Sequence, residues 1–402
     1  MIIVEDLVLR GLIGSLVLVA SASLASSVSA GDEPSKTIQE LRRHMFDAEV
    51  NTLTFRSMDV IFPTRKVARA GTVWQLPRAE ADMNVSYQFE GSSYTAQQGL
   101  ERTYTNALLV IKDGRVVTEI YRNNSDPGTH FVSWSMAKSI TSTLVGLALA
   151  DGYIGSLNDP VTKYVPELGK SGYKDVTLRQ ALQMRSGVAW DERYDFGVDS
   201  PAQRAFELGL VRNSIRYVDP AVELQRAHAP GTVFNYSTIE TSVLGWVLDR
   251  ALRRPIATYM AERLWEPAGM EADGFWLMDG QPGVGREFTG AGFNAVLRDY
   301  GRFGLMVLNG GRANGKQVIP ADWLKQATVP ADPAAPGLGY GYQWWTVPGS
   351  RAYMALGLQG QYIYIDPDTR TVVVKLSYFP PGDGKASAET EQLLRAISAW
   401  RP

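Results

Sequence analysis

Ser135 and Lys138 stand three residues apart at the start of the run SMAKSITSTLVGLALADG, a spacing that could carry acyl-transfer chemistry. A serine hydroxyl is a weak nucleophile until a neighbouring base takes its proton. On a helix, three residues amount to about 300° of rotation and about 4.5 Å of rise, so both side chains share one face. The lysine can act as base if burial and nearby cations lower its pKa enough to populate the neutral amine. At a helix start the serine N–H is unpaired and can face an oxyanion, where the helix dipole also favours negative charge. The same residues read equally as a helix N-cap followed by a solvated lysine. A second S-x-x-K, Ser171-Gly172-Tyr173-Lys174, lies in a glycine-containing loop with no apolar helix behind it and is set aside.

Two other stretches carry groups that such a reaction needs. Tyr236-Ser237-Thr238 follows the turn Pro230-Gly231-Thr232 and opens a helix. A tyrosine there can relay a proton between nucleophile, lysine and leaving group, its pKa lowered by the cation; the alternative is an aromatic staple against the next helical turn. Near the C-terminus, Tyr353–Gln361 reads as strand but contains Gly357 and Gly360, which signals close approach of another group to the backbone. An edge strand with a free N–H would supply a second oxyanion donor opposite Ser135; a simple bulge is the alternative.

The elements that must hold these residues follow from periodicity. The spacing predicts a hairpin, Ala107–Ile111 and Arg115–Tyr121, around Lys112-Asp113-Gly114. The helix from Ser135 is apolar on one side and closes at Asp151-Gly152. Thr177 caps a helix through Met184, and Ser237–Leu252 reads as a strongly amphipathic helix with the capping box Ser237-x-x-Glu240. Further helices are expected over Thr37–Glu49, Asn294–Leu308 and Ala388–Trp400, and strands over Tyr353–Leu356, Tyr362–Ile365 and Thr371–Ser377. Strands near both ends with helices between and after them define an α/β fold of the α+β type: an antiparallel sheet covered by helices on both faces, with a second, mainly helical lobe. The expected division is an N-terminal region of uncertain structure over 31–105, an α/β domain from 106–154 and 236–402, and a loop-rich helical insertion over 155–235.

Composition narrows the classes. The 402 residues are 45% hydrophobic, enough for a sizeable core, and the formal net charge of -2 leaves no basic footprint for nucleic acid. With no cysteine there are no thiol nucleophiles, disulfides or thiolate metal sites, and His44, His130 and His228 show no metal-pair spacing. No metal or organic cofactor is expected. No G-x-S-x-G elbow surrounds any serine, which weighs against a Ser-His-Asp arrangement. Residues 1–30 read as an export signal: Arg10, the apolar core LIGSLVLVA and the small-residue site Val28-Ser29-Ala30. Cleavage near Ala30 would deliver the chain to the periplasm or the medium, with a retained membrane anchor as the alternative.

S-x-x-K opening a helix, then P-G-x-x-F-x-Y-S, then a glycine-bearing strand resembles the serine β-lactamase and penicillin-recognising superfamily, in its class C-like branch. That branch includes D-alanyl-D-alanine peptidases, family VIII carboxylesterases and 6-aminohexanoate-dimer hydrolases. DGYIGSLNDPVTKYVPEL and TLRQALQMRSGVAW extend the likeness over about residues 100–400. It implies a β-lactamase/transpeptidase-like fold in which Ser135 is acylated, Lys138 is the base and Tyr236 assists proton transfer. Ala355-Leu356-Gly357 takes the place of the family's K-T-G, making Leu358 N–H the second oxyanion donor beside Ser135. Ala355 for the lysine and Thr238 for the motif's asparagine weaken the β-lactamase and carboxypeptidase readings. G-x-x-G-Q-Y and Gln343-Trp344-Trp345 look closer to the dimer-hydrolase and esterase members, with Tyr194, Trp344, Gly357 and Gln359 as substrate contacts. The implied activity is hydrolysis of a small-molecule ester or linear amide; a penicillin-recognising sensor that does not turn over is the non-enzymatic alternative.

Overall fold

Eight consecutive buried residues, Thr105–Lys112, form strand β1, which is covered on both sides. With β2 (Arg115–Tyr121), β3 (Gly339–Tyr340), β4 (Trp345–Thr346), β5 (Tyr353–Gly357), β6 (Gln361–Asp366) and β7 (Thr371–Ser377) it builds a seven-stranded sheet ordered β3-β4-β5-β6-β7-β1-β2. Every pairing is antiparallel. The computed structural model describes residues 33–193, 199–280, 285–332 and 337–402. The expected export signal and Tyr194 lie outside the described residues.

The period-2 alternation of the strands sorts their side chains into two cores. Leu109, Ile111, Val372, Val374 and Ile363 enter the larger one, while Leu108, Val110, Val373, Tyr362 and Tyr364 enter the other. Helices cover both faces, as the alternation of strand and helix signals implied. On the first face lie α3 (Met136–Ala150), α4 (Thr238–Leu252) and α5 (Leu297–Leu308); on the second, α2 (Ala96–Arg102) and α6 (Gly384–Ala399). A preceding helix, α1 (Lys36–His44), belongs to the N-terminal region. A Cβ at Gly304 would come within 2.6 Å of Val372 and 2.9 Å of Ile363, so glycine is what lets α5 lie directly on the sheet.

Several local expectations changed in the tertiary setting. Both α3 and α4 are buried nearly all round rather than one-sided, and most of their hydroxyls find internal partners: Ser139 Oγ donates to Gln343 O at 2.6 Å and Thr141 Oγ1 to Thr289 O at 2.9 Å. The capping box at Ser237 does not form; Ser237 Oγ donates to Asn235 O, and the Glu240 carboxylate accepts from Ser186 instead. The helix expected from Asn294 starts at Leu297, since Phe293–Val296 is a strand of a second, four-stranded sheet with Thr64–Val67, Gly274–Leu277 and His130–Val132. Between 155 and 235 the described residues form only short helices and turns, including Leu178–Leu182 under a Thr177–Gln180 capping box and a π-helical turn at Glu207–Val211.

Candidate active site

Ser135 sits at the N-cap position of α3, yet its side chain makes no capping bond. The residue before it, Trp134, has φ of 41°, a left-handed conformation that costs a bulky side chain of order 1–3 kcal/mol and persists only where packing imposes it. The turn so formed sends the N–H groups of Met136, Ala137 and Lys138 to Ser133 O, Trp134 O and Ser135 O. Among the described residues the Ser135 N–H makes no such turn bond.

Lys138 is 1% exposed, so the solvated reading does not hold. Its Nζ lies 2.9 Å from Ser135 Oγ, 2.9 Å from Thr238 Oγ1 and 2.8 Å from Gly290 O. Donor arithmetic then fixes two of its three positions. Gly290 O can only accept, and Thr238 spends its one proton on Glu192 Oε1 at 2.5 Å, so each must receive an N–H from the lysine. The third position, facing Ser135 Oγ, carries a proton in the ammonium form and a lone pair in the amine. Burial pushes the Lys138 pKa down to about 8, against the pull of the Glu192 charge. The amine is therefore accessible near neutrality, and its lone pair points where the serine proton is.

Glu192 had no role in the sequence reading. It accepts from the backbone N–H and hydroxyl of Thr238 and, at 2.9 Å, from Trp190 Nε1. The clue in the sequence was Thr238 itself. An amide side chain brings both a donor and an acceptor, whereas a hydroxyl that accepts from lysine must pass its proton to an acceptor such as a carboxylate.

Tyr236 also differs from expectation. Its phenol pKa is raised, not lowered: burial dominates, the Glu192 charge adds to it, and an interaction of the hydroxyl with Ser135 pulls partly back. Lys138 Nζ lies 5.0 Å from the centre of the Tyr236 ring, a cation–π contact with the ring face. A phenol in that state can donate a proton but is not a standing phenolate. Trp345 stacks on it at 5.4 Å and 28°, and Tyr340 meets it edge-on at 6.0 Å.

The strand opposite is edge-like only where it matters. β4 pairs with Tyr353 and Met354 alone, leaving Ala355–Gly357 without a strand partner on that side among the described residues. There the backbone runs against the Ser133–Ser135 turn, and a Cβ at Gly357 would come within 2.2 Å of Ser133 O and 3.2 Å of Ser135 N. Leu358 follows and borders a small cavity, about 70 Å³, together with Ser135, Glu192, Thr238, Trp134 and Phe46.

The remaining expected contacts are placed differently. Trp344 is fully buried, parallel to Phe303 at 6.2 Å and edge-on to Tyr353 at 5.6 Å, so it cannot touch a substrate in this cavity. Strand alternation puts Trp344 into the core and its neighbour Trp345 beside Tyr236. Gln359 has φ of 54°, donates its Nε2 to Phe46 O at 2.9 Å and does not border this cavity. His130 bonds to Asp273 O at 2.7 Å and His228 is exposed; neither borders the cavity.

A serine opening a helix, with a buried lysine against it beside an antiparallel sheet, defines a protein of the β-lactamase/transpeptidase class. The chain matches the Beta-lactamase family over residues 95–397 and belongs to it, as a β-lactamase-fold hydrolase. It is 30% identical over 304 residues to the 6-aminohexanoate-dimer hydrolase of Paenarthrobacter ureafaciens, covering 71% of this chain and 76% of that one. A solved structure from Bacillus anthracis, provisionally named a 6-aminohexanoate-dimer hydrolase, superposes with a TM-score of 0.79 at 23% identity, covering 91% and 97% of the two chains. A family VIII carboxylesterase shares the fold with a TM-score of 0.55 at 16% identity over 75% of this chain and 96% of its own.

Proposed function

We propose that the chain hydrolyses a carboxylic ester or a linear amide through an acyl-enzyme on Ser135. The observation that carries this is the wiring of Lys138, whose two committed N–H groups aim its remaining position at Ser135 Oγ. Ser135 Oγ attacks the carbonyl carbon as its proton passes to the Lys138 amine. The C=O electron pair moves onto the oxygen, which takes hydrogen bonds from the N–H groups of Ser135 and Leu358. As the tetrahedral intermediate collapses, the leaving alcohol or amine departs with the Tyr236 proton, and the Lys138 ammonium gives its extra proton to the Tyr236 phenolate, returning to the amine. Water then attacks the acyl-enzyme, giving its proton back along the same path and releasing the carboxylic acid with Ser135 reprotonated.

Ala355 supports the ester or linear-amide reading over a β-lactam, because it puts no cation where the family's lysine would meet a carboxylate. The apolar cavity wall at Trp134, Phe46 and Leu358 supports an aliphatic acyl chain, with Glu192 and Arg193 also bordering the cavity. The dimer hydrolase among the relatives makes a linear amide the first to try. The test compares the chain with its Ser135→Ala variant on p-nitrophenyl butyrate, linear 6-aminohexanoate dimer and nitrocefin. Turnover of the ester or amide that vanishes in the variant supports the reading. If both proteins are inert and mass spectrometry finds no acyl adduct, it is wrong.

A further inference from the structure

The family match begins at residue 95, yet part of the cavity wall comes from far upstream. Phe46, two residues beyond the end of α1, borders the cavity with Ser135. Its ring stands 4.7 Å from Trp134 and 5.9 Å from Phe206. Two long-range ties hold it there. Gln359 Nε2 donates to Phe46 O at 2.9 Å, which fastens this segment to the turn that carries Leu358. From α1, the buried Arg42 guanidinium donates to Leu210 O at 3.0 Å and Val211 O at 3.2 Å, and also to Ile61 O at 2.8 Å. Leu210 and Phe206 in turn border the cavity. Arg43 adds an ion pair with Glu207 at 2.5 Å.

Such an arrangement is more than packing at a chain end. Arg42 bonds to backbone carbonyls, so it fixes the course of the π-helical turn Glu207–Val211 whatever side chains that turn carries. A cavity of about 70 Å³ holds roughly five to seven water-sized positions, at ~10–15 Å³ for each. That room suits an acyl chain of about four carbons.

We infer that the segment 36–62 is part of the substrate site, and that Phe46 is its chain-length gate, favouring short acyl groups. This rests on the acyl-enzyme reading above. The test is kcat/KM for p-nitrophenyl esters from acetate to decanoate, measured on the whole chain and on Phe46→Ala, Phe46→Leu and Phe55→Leu. Phe55 is the control: it packs against Phe46 at 6.1 Å and is 1% exposed, but does not border the cavity. Wild type is expected to favour butyrate. Phe46→Ala should raise the octanoate-to-butyrate ratio about tenfold, Phe46→Leu should raise it less, and Phe55→Leu should leave it unchanged, since pocket methylenes discriminate about 10–200-fold. An unchanged ratio in both Phe46 variants overturns the inference, as does an equal shift in Phe55→Leu. Calorimetric binding of straight-chain C4 to C10 carboxylates to the Ser135→Ala chain, with and without Phe46→Ala, needs no turnover. If neither ester nor linear amide is cleaved and no acyl adduct forms, the acyl-enzyme reading fails alone, and the gate stands or falls on whether Phe46→Ala favours the longer carboxylates.

Discussion

Two Ser-Lys pairs with a buried lysine lie on opposite faces of the same sheet, and only one is placed to do chemistry. Lys138 Nζ and Ser135 Oγ are 2.9 Å apart on the larger core's side; Lys375 Nζ and Ser377 Oγ are 2.6 Å apart on the other. Burial depresses the pKa of both lysines, Lys375 well below its ordinary value. Lys375 donates to Thr103 O at 2.9 Å and lies 5.1 Å from the centre of the Phe379 ring, and neither it nor Ser377 borders the cavity at Ser135. Ser377 is a strand residue at the β7 end. Ser135 instead tops a helix, with an N–H left out of the turn and a strand backbone facing it across Gly357. A lowered lysine pKa and a hydrogen-bonded serine are therefore not sufficient. The carbonyl must have somewhere to sit and donors to receive its charge.

The comparison breaks most decisively at Ser135. Ser135→Ala or Lys138→Ala should each reduce kcat/KM on the best ester at least about 10³-fold, measured with thermal melting to show the fold intact. The pH profile sharpens it. Lys138 works as the neutral amine, so below its pKa of about 8 activity should fall about tenfold for each pH unit. The Glu192 charge holds that pKa up, so Glu192→Gln should move the acid limb of kcat/KM to lower pH. A limb that stays put or moves up would remove Glu192 from the electrostatics of the pair. Trp345→Ala takes away the stack on Tyr236, worth about 0.5–1.5 kcal/mol, and should lower kcat by up to about tenfold. Lys375→Met should change the melting temperature while leaving kcat/KM within about twofold; a large loss of activity would mean that the two faces are coupled. Replacing His130 or His228 by Gln should have the smallest effect, with kcat/KM again within about twofold.

Much of this was legible in the chain itself. Strands over Tyr353–Leu356, Tyr362–Ile365 and Thr371–Ser377 were read within a residue of the observed β5, β6 and β7, because alternation and turn residues act over a few positions. The Ser135–Lys138 proximity needed only helical geometry. Other features required distant neighbours. Which of Trp344 and Trp345 faces the core depends on what each side of the strand packs against. The Tyr236 shift changed sign because burial outweighs a cation that sits against the ring face.

The sequence by itself determined the local pieces: a serine and lysine on one helical face, a glycine-bearing strand able to approach them, and an alternation that builds a sheet covered on both sides. These follow from backbone geometry and side-chain periodicity, which are properties of neighbouring residues. Only the tertiary structure decided which polar groups complete the site. Thr238 reaches Glu192 across 46 positions, and Gln359 reaches Phe46 across 313. Such contacts arise when separate elements share one buried volume, where an unpaired polar group costs free energy and most donors find an acceptor.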